Sequence, residues 1–132
     1  AAVADDRPAS AAERKLSKED GRLTAIELGE NDDIVAGLVA ARRSGQTIVG
    51  FAAETAADAA DLRERGIRKR RRKGVDLLAV NDVGEGRGFE RPDNALLIVG
   101  PGDEVVAEAS GTKREVADAL WDAIASQRTT GR

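Results

Sequence analysis

Two short, mostly apolar runs, Thr47–Ala52 and Val75–Val80, the second holding a lone Asp76, limit most strongly what this chain can fold into. Neither carries a polar face, which is the pattern of strands buried on both sides in a parallel sheet. Between them lies a long stretch of helical character, Ala56–Lys73, with Thr55 placed to cap its start and Gly74 to end it. Strand, helix and strand in this order predict an α/β fold, a three-layer Rossmann-like sandwich with a mainly parallel sheet. Downstream, Ala95–Val99 and Glu104–Ala109 flank Gly100-Pro101-Gly102-Asp103 and predict a hairpin. Thr112 with Glu115 forms a capping box for a last helix, on which Val116, Leu120, Ala123 and Ile124 share an apolar face with Trp121 beside it.

The N-terminal part is less regular. Ala1–Asp5 reads as a strand, residues 6–22 as a mobile polar loop containing Pro8, and Leu23–Leu28 as an edge strand. Asn31 is expected to cap a helix bearing Ile34, Leu38 and Ala41 and ended by Gly45, with Asp32 and Asp33 favoured near its positive end. The tail, 126–132, is polar and expected to fray. At 132 residues the chain has room for one domain.

Composition narrows the chemistry. There is no cysteine and no histidine, which excludes disulfides, thiolate nucleophiles, Ser-His-Asp catalysis and most zinc sites. Aromatics are confined to Phe51, Phe89 and Trp121, too few for a base-stacking platform. A net charge of −3 gives no general pull toward nucleic acid or anionic lipid. No apolar run approaches a membrane span and no signal peptide is visible, so a cytoplasmic location is the expectation.

Three places could hold a ligand. Open parallel sheets bind ligands at the C-terminal ends of their strands, which here are Gly50–Thr55, Asn81–Gly84 and Ala4-Asp5. Small residues there let a ligand approach the backbone, and the helix start at Thr55 could receive an anion; simple packing of helix on sheet accounts for the same residues equally well. The basic run Arg68–Lys73 is most simply a solvated face at a helix C-terminus. Lys69 and Lys73, four residues apart on one face, also suit a di- or triphosphate, and the run as a whole could contact nucleic acid. Lys15 and Lys18 lie in the polar loop, where a lysine can close over a phosphate. Gly84, Gly86 and Gly88 precede Phe89 and Pro92 rather than a helix, which excludes a dinucleotide fingerprint.

Taken in order, several motifs resemble those of phosphopantothenate–cysteine ligases, also called phosphopantothenoylcysteine synthetases. They are Ala1–Asp5, Arg7-Pro8, Lys15 and Lys18, Asn31–Ile34, Val49–Thr55, Lys73–Leu77, Asn81–Val83, Gly88-Phe89, Asp93-Asn94 and Lys113–Ala117. In many bacteria this ligase is the C-terminal domain of a bifunctional protein whose other domain is an FMN-dependent decarboxylase. The resemblance spans nearly the whole chain and corresponds to the C-terminal part of the ligase domain, whose N-terminal half is expected to lie outside this sequence.

The resemblance implies CTP as substrate with Mg²⁺, and joining of 4'-phosphopantothenate to cysteine through an acyl-cytidylate, in a homodimer. It assigns Asp5, Lys15, Asn31, Asp32, Asp33, Ile34, Phe51, Lys69 and Lys73 to the nucleotide site and a catalytic role to Lys15; it assigns no metal ligand. FMN would belong to the linked domain alone. Ser17 and Asp32 depart from the family pattern, where a lysine and a proline are usual. Two alternatives stay open: a nucleotide-binding or interaction module without turnover, and a nucleic-acid binder using Arg68–Lys73.

Overall fold

The computed structural model describes residues 4–10, 27–84 and 94–130. The chain forms two compact units, Ala1–Ile34 and Val35–Arg132.

In the first unit, β1 (Asp6–Pro8) pairs antiparallel with β2 (Leu28–Glu30), placing Asp6 opposite Glu30 and Pro8 opposite Leu28. Of the strand expected over residues 1–5, only Ala4 and Asp5 are described and they lie outside β1, while residues 6–8 belong to a strand rather than to the expected loop. Side chains explain the shift. Arg7 Nη1 donates to the Glu30 carbonyl (2.7 Å) and to Asn31 Oδ1 (2.9 Å), while Asn31 Nδ2 donates to the Ala4 carbonyl (2.7 Å). Asn31 is thus drawn into the strand pair and does not cap the helix. α1 (Ile34–Ala40) begins three residues later and ends well before Gly45. Of the strand expected at Leu23–Leu28, residues 23–26, with 1–3 and 11–22, lie outside the described residues, and among the described ones only Leu28 belongs to a strand, β2.

The second unit is built on a four-stranded sheet in the order β3 (Val49–Glu54), β4 (Leu77–Asp82), β5 (Asn94–Gly100), β6 (Glu104–Gly111). β3 and β4 run parallel, and the remaining pairs are antiparallel, so the parallel character rests on one pairing among the described residues. Successive side chains of β4 point to opposite faces. Leu78 and Val80 join Ala52, Val75, Leu97 and Val99 beneath Val35 and Val39 of α1 and Leu62 and Ile67 of α2 (Ala59–Lys73). Leu77 and Ala79 join Leu96 and Ile98 beneath Val116, Leu120, Ala123 and Ile124 of α3 (Lys113–Thr130). The four β4 residues from Leu77 to Val80 are wholly buried. Each such Leu or Val contributes about 1.5–3 kcal/mol. This is the expected α/β three-layer sandwich.

β6 contributes to both layers by breaking its own alternation. Val105 packs on the α2 side, whereas Ala107 and Ala109 pack on the α3 side. A register shift opposite Ile98/Val99 leaves Val106 as the extra residue and reverses the parity. Gly100 is required there, since a Cβ would fall 2.5 Å from Val106 Cγ1.

The ends of α2 and α3 show what local patterning can miss. Asp58, extended at φ −155° and ψ −178°, caps α2 by accepting from the Asp61 amide (2.8 Å). Asp61 in turn accepts from the Ala57 amide (3.0 Å). These two bonds set the start at Ala59, so Thr55 lies in the connection rather than at the cap. Gly74 ends α2 as expected, at φ 70° with its N–H bonded to the Arg70 carbonyl. The Thr112–Glu115 capping box also forms, with bonds of 2.8 and 3.3 Å in the two directions. α3 then continues to Thr130, past the point where fraying was expected. Arg128 is anchored to Thr47 Oγ1 at 3.0 Å.

Candidate nucleotide site at the strand ends

The C-terminal ends of β3 and β4 are locked together. Glu54 lies opposite Asp82, and the Val83 N–H donates to the Glu54 carbonyl at 2.8 Å. Asp82 Oδ1 accepts from the Gly84 amide at 3.0 Å, turning the chain sharply as it leaves β4. Small residues at Gly50, Ala52 and Ala53 keep β3 narrow on the way to this edge.

Lys69 reaches this edge from α2. Its ammonium forms an ion pair with the Glu54 carboxylate, with 24% and 15% of the two side chains exposed. Lys73 sits one helical turn farther on, on the same face. Other members of the basic run are engaged elsewhere in the second unit. Arg70 Nε donates to the Asp76 carbonyl (3.0 Å), and Arg71 is paired with Asp103 in the β5–β6 turn. The Arg71 guanidinium holds the Asp103 carboxyl below its usual range. These attachments draw part of the Arg68–Lys73 run into the fold, which fits poorly with a continuous surface for nucleic acid.

The anion site expected at a helix start near Thr55 is not built. Its N-terminal amides are met by the Asp58 and Asp61 carboxylates, whose negative charge opposes a phosphate there. The Asp61 carboxyl is held below its usual range, first by the Ala57 amide and then by Arg65, at 2.9 Å.

Phe51 lies on the other face of β3, 66% exposed. It lines a groove of about 800 Å³ between the sheet and α3, with Val49, Leu120 and Trp121 as apolar walls and Asn81 and Asn94 among its polar residues. Asn94 Nδ2 is buried there without a hydrogen-bond partner among the described residues. Phe51 and the Lys69–Lys73 face are therefore on opposite sides of the sheet. A ligand touching both must bridge the end or edge of β3.

The remaining expected site residues fall elsewhere. Asp5, Asn31, Asp32, Asp33 and Ile34 belong to the first unit. The Asp5 carbonyl accepts from the Asn31 amide at 2.8 Å, and the Asn31 side chain is spent on Ala4 and Arg7. Asp32 and Asp33 are exposed, as is Ile34 at 55%. Lys15 lies outside the described residues, as do Ser17, Lys18 and the Gly86–Phe89 segment. Sequence reasoning missed Glu54. The available signal was an acid closing the otherwise apolar β3 at its C-terminal end. Among the described residues no three potential ligands gather as a metal cage, and no helix is long and apolar enough to cross a membrane.

Comparison with known proteins places this arrangement in a family. The model for the DNA/pantothenate metabolism flavoprotein C-terminal domain matches residues 1–127. The chain is 46% identical over 130 residues to the coenzyme A biosynthesis bifunctional protein CoaBC of Mycobacterium bovis, covering 94% of this chain and 31% of that protein. It is 41% identical over 110 residues to CoaBC of Escherichia coli, covering 80% of this chain and 26% of that one. The chain thus spans under a third of the length of these relatives. The DNA/pantothenate metabolism flavoprotein from Streptococcus pneumoniae shares the fold, with a TM-score of 0.67 at 18% identity over 95% of this chain and 60% of that one. Carried by the family model across nearly its whole length, this chain belongs to the DNA/pantothenate metabolism flavoprotein C-terminal domain family.

Proposed function

We propose that this chain is the CTP-binding, C-terminal portion of a phosphopantothenate–cysteine ligase acting in coenzyme A biosynthesis. The observation that carries the reading is the Lys69 ammonium held at the C-terminal end of β3, one turn from Lys73. That is where open α/β sheets take their ligands, and two ammonium groups on one helix face suit a triphosphate. Relatives described as coenzyme A biosynthesis bifunctional proteins support a role in that pathway.

In this reading the carboxylate of 4'-phosphopantothenate attacks the α-phosphate of CTP, and pyrophosphate leaves. The amine of cysteine then attacks the acyl carbon, a proton is lost, CMP departs and an amide forms. A carboxylate is a poor acyl electrophile until cytidylylation provides this leaving group. Without histidine or cysteine, the protein acts by positioning and charge neutralisation. Lys69 and Lys73 bind triphosphate oxygens, and Phe51 packs beside the nucleoside across the β3 edge. Asp5 and Asn31–Ile34 (Asn31, Asp32, Asp33, Ile34) line the nucleotide. Lys15 offsets charge as it develops on the transferring phosphorus. Mg²⁺ would offset the triphosphate charge, and among the described residues no cage of three ligands would hold it apart from the nucleotide. The working form is a cytoplasmic homodimer, and FMN belongs to a linked domain.

Titration calorimetry with Mg²⁺ and CTP, set against ATP, tests the reading. Tighter binding of CTP is expected. Equal or absent binding of CTP would overturn the assignment.

A further inference from the structure

We infer that Glu54 is a positioning residue, whose carboxylate holds the Lys69 ammonium at the C-terminal end of β3 ready for the ligand's phosphate. The inference rests on the triphosphate reading above and assigns a role to a residue that this reading leaves unused.

Three observations converge on Glu54. Its side chain projects to the α2 side of the sheet, in the same alternation as Gly50 and Ala52, and meets Lys69. Its main chain is fixed independently, because the carbonyl accepts from Val83 N–H and the residue pairs with Asp82. The carboxylate therefore sits on a rigid platform, and only 15% of the Glu54 side chain is exposed. By contrast Lys69 has a four-carbon stem and lies in a helical run with Arg65, Arg68, Arg70, Arg72 and Lys73. Of these, Arg72 and Lys73, three and four residues on, face Lys69 and repel its ammonium, while Arg65 is paired with Asp61. An unrestrained lysine also loses rotamer freedom when it binds. A carboxylate across from it counters the repulsion and settles that ordering before the ligand arrives.

A purely structural ion pair would do something different. It would fasten α2 to β3, and its loss would lower stability without touching affinity. Here the chain already fastens the two elements otherwise, through Ala52, Leu62 and Ile67 in one apolar layer. The Glu54 contact lies at the margin of that layer, where the ligand is to sit.

The test uses Glu54→Gln, Lys69→Gln and the double variant, with CTP–Mg²⁺ and inorganic triphosphate as probes in calorimetry. Glu54→Gln is expected to weaken both probes about 3- to 10-fold and to lower the melting temperature little. Lys69→Gln weakens them at least as much, and the double variant no further than Lys69→Gln alone, because both act through one ammonium. In the absence of nucleotide, the Lys69 ammonium proton signal in ¹H–¹⁵N spectra should be sharp in the wild type and broadened in Glu54→Gln. Glu54→Asp, which keeps the charge on a shorter stem, should recover part of the affinity. Unchanged affinity in Glu54→Gln, additive losses in the double variant, or an unaltered Lys69 signal overturns the positioning role while leaving CTP binding intact. Wild-type protein that binds triphosphate but shows no preference for CTP overturns the cytidine reading alone, since the Glu54 comparison is then read on triphosphate. Wild-type protein that binds neither probe overturns both.

Discussion

The Asp76 carboxylate accepts the Ile48 amide hydrogen at 2.7 Å, joining the residue before β3 to the residue before β4. The same carboxylate is paired with Arg42 at 3.2 Å, and the Asp76 amide donates back to the Ile48 carbonyl at 2.9 Å. One side chain thus sets where the parallel pair begins. Asp76→Ala should destabilise the protein by about 1–3 kcal/mol, the usual cost of stranding a partly buried donor. Chemical denaturation should show this as a lower midpoint at unchanged slope.

Gly100 and Val106 share one volume at the β6 bulge. Gly100→Ala is expected to cost about 1–3 kcal/mol by overpacking. Adding Val106→Ala should return most of that loss, and a double-mutant cycle of melting curves reads the coupling. Additive losses would show that the strain lies elsewhere.

Acidification should weaken the fold through carboxyls that the native state holds below their usual range. Glu115 is lowered by the Thr112 amide and hydroxyl, Asp61 by Ala57 and Arg65, and Asp103 by Arg71. Because the folded values are lowered, their contribution is present above the unfolded values, near about 4. It is lost as pH falls through the folded ones. Melting temperature measured from pH 7 downward should decline in that lower window, and Glu115→Gln should reduce the decline.

Lys73→Gln should weaken CTP–Mg²⁺ binding by about tenfold, or ~1.4 kcal/mol, with little change in melting temperature. A large drop in stability instead would make Lys73 a structural residue.

Asn31→Ala removes the side chain that ties Ala4 and Arg7 to the end of β2. Amide exchange at Asn31 and Ala9, which donate to Asp5 and Glu27, should quicken, while exchange in β4 stays slow.

The sheet could be read from the sequence because its strands obey one strong physical rule. Leu77–Val80 is buried on both faces, and such a strand is written as a continuous apolar run. Gly74 and the Thr112–Glu115 pair were legible for a similar reason, since each signal lies within four residues of its partner. What stayed hidden depends on partners far along the chain. β1 is three exposed residues with a proline, defined by its pairing with β2 and by Arg7 and Asn31 meeting across 24 positions. Thr55 offered a cap, but Asp58, accepting from the Asp61 amide, and Asp61, accepting from the Ala57 amide, prevailed because together they satisfy two amides rather than one. The facing of Lys69 and Lys73 followed from helical spacing, whereas the contact with Glu54 requires the distance between α2 and β3, which no periodicity encodes. Likewise Phe51 and Lys69 are each recognisable in the sequence, but their separation by the thickness of the sheet is not.

The irregularity in β6 has a further effect on how the molecule behaves in company. β6 is an outer strand of the four-stranded sheet, and a straight outer strand offers its free amides and carbonyls to any passing chain. The bulge at Val106 bends that rim out of register, and Glu104 and Glu108 add charge along it. A protein built this way resists edge-to-edge growth into fibres at the concentrations where a flat, neutral rim would invite it.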